Sequence, residues 1–223
     1  MYGNYVDPND AALSFVFIFL AAFMAIAAIS LVFSFIYFIV AAIPYFIMAR
    51  KAGFKHAWLA FIPYGQYYVI MTLPHREFNI FNKFKTNNRK KAFWAYVIVA
   101  VIATVIGIVN SFLDGITELL STLAETASSE SIFIYLIFML LCLGVALIIM
   151  VISLANSFVA YLIRWRAHYD LLMTYDMQDH AMWASIVSLF VPLVIVVFSF
   201  IIMNKEPEYG FGNYYVDSDI YLS

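Results

Sequence analysis

The chain alternates between long apolar runs and short polar segments. Residues 11–49, 92–113, 131–163 and 181–203 contain no Asp, Glu, Lys or Arg. A helix needs about 20 apolar residues to cross the hydrocarbon core of a bilayer, so each run predicts one spanning helix. The first run is nearly twice that length. It lacks Gly, Asn and Asp for an internal turn, and a hairpin inside lipid would leave backbone groups unpaired. One long helix is therefore expected over 11–49. The fold class is all-α, a polytopic transmembrane helix bundle of four spans.

The intervening segments complete the expected organisation: an N-terminal tail (1–10), a basic loop (50–91), an acidic loop (114–130), a second basic loop (164–180) and a C-terminal tail (204–223). Within the first loop, residues 57–73 read AWLAFIPYGQYYVIMTL. This stretch is apolar but short, and it is broken by Pro63, Gly65 and Gln66. It predicts an interfacial or re-entrant element with Trp58, Pro63, Tyr64, Tyr67 and Tyr68 as lipid or partner contacts, because Trp and Tyr favour the headgroup region. The simpler role for it is to cover the ends of the first and third helices.

Composition agrees with the membrane assignment. The chain is 65% hydrophobic and 12% charged, against about 25% charged in ordinary soluble domains. Cys142 is the single cysteine, which rules out an internal disulfide. Of the 12 Lys and Arg, 11 fall in 50–91 and 164–180. With four spans these loops share one side and both termini share the other, together with 10 of the 14 acids. The positive-inside rule then makes the basic loops cytoplasmic and both termini extracytoplasmic, in a multi-pass plasma-membrane protein. Ala25-Ile26-Ala27 resembles a leader cleavage site, but the acidic start lacks the positive region that a leader needs.

The stretch at 76–91, REFNIFNKFKTNNRKK, carries Phe78, Phe81 and Phe84 at every third position among cations. It predicts a short helix lying on the bilayer, aromatics in lipid and cations on anionic headgroups, or else a plain stop-transfer cluster. The patch is too small and too close to the membrane for nucleic acid.

Catalytic motifs such as HExxH, G-x-S-x-G and a P-loop are absent from the sequence. The densest polar cluster holds Arg164, Arg166, His168, Asp170, Asp176, Asp179 and His180. Asp176 and His180 stand four apart, which would place them on one helix face for acid–base work or for a divalent cation. Ion pairing and capping of the fourth helix by Asp176 or Asp179 is the plainer role. No cofactor or metal is expected. The runs hold no Asp, Glu, Lys, Arg or His, which disfavours ion-coupled transport. Asn110, Ser153, Asn156 and Ser157, with the ladder Ala103, Gly107 and Ser111, suit helix packing. Pro192 should kink the fourth helix.

The segment ARKAGFKHAWLAFIPYGQYYVI resembles a signature of small polytopic bacterial membrane proteins, in which Lys-Ala-Gly is followed by Trp, an Ile-Pro pair and aromatics. The matching residues are Lys51, Ala52, Gly53, Trp58, Ile62, Pro63 and Tyr64. Those proteins usually carry Asn shortly after the proline, where this chain has Gly65 and Gln66. The resemblance implies the membrane class and this loop, and no reaction. The two tails share a Gly-Asn-Tyr element, in YGNYVD and FGNYYVDSD, of a kind that makes adaptable contact surfaces.

The expected role is a non-enzymatic accessory or partner subunit of a membrane assembly, in contact with the bilayer and with other membrane proteins. The alternative is a small transporter or lipid-binding protein whose groove lies between the bundle and 57–73.

Overall fold

The computed structural model describes the backbone of residues 8–125 and 129–216, with side chains placed for 14–125 and 133–216. Three long helices dominate: α1 (Pro8–Ala52), α3 (Arg89–Glu125) and α4 (Ser129–Thr174). Each is long and apolar enough to cross a membrane. The first apolar run is thus one helix, with Pro44 inside it. Between α1 and α3 stand a 3-10 turn (Ala57–Phe61), α2 (Pro63–Thr72) and an antiparallel hairpin of β1 (Phe78–Ile80) and β2 (Phe84–Thr86). After α4 come α5 (Gln178–Phe190) and α6 (Leu193–Ile202).

The expected fourth span is therefore two short helices. A valine before proline is pushed to extended backbone, and Val191 takes φ −125°, ψ 87° there. Pro192 breaks the helix where a kink was expected. At 1.5 Å per residue, α5 and α6 are about 20 Å and 15 Å long, each short of the roughly 30 Å core. They pack as a V whose tip, Phe190 to Leu193, is apolar and exposed.

This V returns the chain to the end from which it started. Residues 208–214 run across the C-terminal ends of three helices. The Glu208 amide donates to Thr174 O of α4 (2.9 Å), and those of Gly212 and Tyr214 donate to Lys51 O and Ala52 O of α1 (2.9 and 3.0 Å). The phenols of Tyr214 and Tyr209 donate to Thr72 O and Leu73 O at the end of α2 (both 3.2 Å). Burial pushes both phenols well above their ordinary pKa, so they stay protonated donors. A helix leaves its last four carbonyls unpaired; in α1 all four are met. Phe54 and Gly53 amides reach Ala49 O and Arg50 O as a Schellman cap, and the tail takes the other two. Gly53 has φ +88°, and a Cβ there would lie 2.8 Å from Gly212 O. The tail and the loop at 50–91 are therefore at one end of the molecule, which corrects the expectation that opposed them.

These elements make a folded cap around one buried core, including Met48, Val69, Met71, Phe78, Leu171, Leu172, Tyr175 and Tyr214. The stretch 57–73 contributes Ala57, Ala60, Val69, Ile70, Met71 and Leu73 to that core. Pro63 occupies the first turn of α2, and a Cβ on Gly65 would strike Leu59 O. All 12 Lys and Arg fall in segments of the cap; Lys205, expected at the far end, donates to Asp176 O at 3.2 Å. By contrast, every α1 side chain from Ser14 to Tyr37 is exposed.

The basic segment is a hairpin where a surface helix was expected. Its pattern has period two, with Phe78 opposite Thr86 and Ile80 opposite Phe84. Phe81 and Asn82 have φ +49° and +58°, the pair of positive values that a tight primed turn requires. Asn79 holds the turn by accepting from the Asn82 amide at 2.8 Å.

Candidate functional site

The residues anticipated as lipid or partner contacts divide in two. Trp58, Tyr64, Phe81 and Phe84 are exposed, and so is Pro63. Tyr67 and Tyr68 are half-buried, packed on Tyr96 (ring centroids 4.8 Å) and Phe93 (5.0 Å) of α3. Phe78 is fully buried, which removes it as a lipid contact. Its ring supports the guanidinium of Arg89, 5.4 Å from Cζ to the centroid.

Arg89 opens α3, where a loop cation was expected, and it is completely buried. Its Nη2 stands 2.8 Å from Asp170 Oδ2, and Arg166 Nη2 stands 2.9 Å from Asp170 Oδ1. Arg89 Nε also donates to Arg76 O at 2.6 Å. One carboxylate between two guanidiniums ties α3, α4 and the hairpin together. Above it, Arg76 grips Glu208 with two bonds of 2.9 and 3.0 Å, beside a polar surface cavity of about 510 Å³. The i,i+4 spacing of Arg166 and Asp170 is legible in the sequence; the partner 81 positions away, at Arg89, is not.

The Asp176–His180 arrangement is not formed. α4 ends at Thr174 and α5 begins at Gln178, with Asp176 at φ +54° in the turn between. The two residues therefore share no helix face. The α5 N-cap is Met177, with no side-chain cap. Asp179 sits in the first turn, where a negative charge suits the helix dipole. His180 Nδ1 accepts from Trp183 Nε1 at 3.3 Å. Among the described residues no three His, Cys, Asp or Glu side chains converge as metal ligands.

Of the anticipated packing residues, Asn156 acts across helices: its Nδ2 donates to Val99 O of α3 at 3.1 Å. Ser157 lines a cleft beside it. Ser153 and Asn110 are half-buried. The ladder at Ala103, Gly107 and Ser111 is not a contact along its length, since a Cβ on Gly107 would meet nothing within 4 Å.

The polar stripe that matters lies on α4. Asn156, Ala160, Arg164 and His168 recur every four residues and face two cavities. The first, about 230 Å³, is a cleft between α3 and α4 lined by Tyr96, Val99, Ala103, Asn156, Ala160 and Arg164, among others. The second, about 110 Å³, lies beneath Gln66, Tyr67 and Ile70 of α2, against Tyr45, Arg164 and His168. His168 is buried and pairs with Ser188 Oγ of α5 at 2.9 Å. Arg164 belongs to both walls. Its Cζ lies 5.9 Å over the ring of Tyr67, its Nε is buried without a hydrogen-bond partner, and no described carboxylate stands within 4.0 Å of its guanidinium.

No family model matches this chain, nor does any curated protein or solved structure.

Proposed function

We propose that this is a non-enzymatic integral membrane protein that serves as a partner subunit in a larger membrane assembly. The observation that carries the reading is the lone half of α1: from Ser14 to Tyr37 each side chain is exposed, while the cap clamps the other half. A rigid base that holds out one apolar helix suits docking among the helices of another protein. Benzophenone side chains placed at Phe23 and Phe33 test it. Irradiation in native membranes should yield an adduct with one distinct polypeptide; adducts with lipid alone, or with a second copy alone, overturn the reading.

In this proposal α1, α3 and α4 span the bilayer, and α5–α6 dips into it and returns. The charge pattern supports the cap as cytoplasmic. Every Lys and Arg belongs to it, whereas Asp10, Asp114, Glu118, Glu125 and Glu130 stand in the distal parts of the long helices. The N-terminus is then outside and the C-terminal tail inside. A fluorescent protein fused after Ser223 should fluoresce, and alkaline phosphatase fused there should be inactive; the reverse pair of results restores a fourth span.

A second reading, a lipid-binding membrane protein, is favoured by the cavity between the bundle and α2, where residues 66–70 form one wall.

A further inference from the structure

We propose that Arg164 is the phosphate-binding centre of a phospholipid site, with the headgroup in the cavity beneath α2 and one acyl chain in the α3–α4 cleft. This rests on the lipid-binding reading and is independent of the partner-subunit reading. The first support is depth. Arg164 is the first charge after the uncharged run 131–163, so in a spanning α4 it closes the apolar stretch on the side of the cap. Asn156 lies eight residues, about 12 Å, deeper on the same stripe.

The second support is charge. A partly buried guanidinium without a counter-ion is costly, and its planar fork fits two phosphate oxygens. The cap neutralises Arg89, Arg166 and Arg76 with Asp170 and Glu208; Arg164 is left facing two cavities. No carboxylate lines either cavity to receive the amine of a zwitterionic headgroup. A net-anionic headgroup of the phosphatidylglycerol type is therefore favoured.

The third support is shape. The two cavities, about 110 and 230 Å³, share Arg164 as a common wall. The headgroup side carries Gln66, Tyr67, Tyr45 and His168 among apolar residues of α1, α2 and α6. The deeper side carries Val99, Ala100, Ala103 and Ala160, whose short side chains leave a cleft beside Asn156, Ser157 and Tyr161. Tyr67 and Tyr96 stand between the two, rings in contact.

Native mass spectrometry of the full chain, delipidated in a non-ionic detergent and titrated with phosphatidylglycerol, tests the site. The wild type should bind one such lipid, more tightly than phosphatidylcholine. R164Q should weaken binding by at least about tenfold, the worth of one charge-assisted contact. R164K should fall between, having charge without the fork. Should R164Q fail to fold, A103L keeps the test open, since it fills the acyl channel and should weaken the lipid while leaving Arg164 in place. Equal binding by wild type, R164Q and A103L overturns the inference alone. A wild type that takes up no lipid overturns the lipid-binding reading with it. Displacement of the lipid by excess inorganic phosphate would assign Arg164 to a small anion and overturn the acyl arm.

Discussion

Asp170→Asn is expected to lower stability by about 3–5 kcal/mol, the cost of stripping one partner from a buried ion pair. Asp170 and Arg89 have side chains 1% and 0% exposed, so water cannot replace the lost charge. Arg166, at 21%, retains some access to solvent. The loss is thus set mainly by Arg89, left charged between the Phe78 ring and Arg76 O. A marginal domain holds about 5–15 kcal/mol in all, so the variant should melt many degrees lower in detergent, read by tryptophan fluorescence. The double variant Arg89→Met, Asp170→Leu should recover much of the loss, because apolar pairs of similar volume often replace buried ion pairs. An Asp170→Asn melt within 1 kcal/mol of wild type would mean that the node is hydrated and not structural.

Gly53→Ala should cost about 2 kcal/mol. A left-handed backbone costs an L-residue about 1–2 kcal/mol, and the new Cβ would stand 2.8 Å from Gly212 O and 3.1 Å from its Cα. Those atoms are backbone, so the tail itself must move. The change should act through the Gly212 and Tyr214 amides, which pair with α1. Their hydrogen exchange should quicken by a factor of roughly 30, with amides in the middle of α3 unaffected. Uniform exchange changes across the cap would place the strain elsewhere.

Some of this was legible in the residues. The uncharged runs mark α1, α3 and α4, because that signal is local, whereas Pro63, which reads as a break in 57–73, opens α2. The recurrence of Phe78, Phe81 and Phe84 suggests a helix, but the segment pairs as a hairpin. The better signal was Phe78-x-Ile80 and Phe84-x-Thr86 about an Asn-containing turn. Pro192 was seen, but the choice between a kinked span and a V depends on what lies beneath. Here Ala181, Ala184, Ser185, Ser188 and Ser199 are all buried, and such small side chains suit close packing of the V on the cap. Arg164 read as a loop cation because its lack of an acid is a fact about neighbours far away in sequence. The FGNYYV part of the C-terminal echo, where described, is a built contact: Gly212 and Tyr214 bond α1. Its N-terminal counterpart at Tyr2–Asp7 lies outside the described residues.

The tail that crosses three helix ends also fixes an order of events during synthesis. Lys55 bonds to a tyrosine 160 residues later in the chain, an interval on the order of 10 s or more at ribosomal speed. Throughout that interval α1 has emerged with its terminal carbonyls at 51 and 52 unclaimed. The end of α1 therefore stays open until residues 208–215 have been made, after α3, α4, α5 and α6.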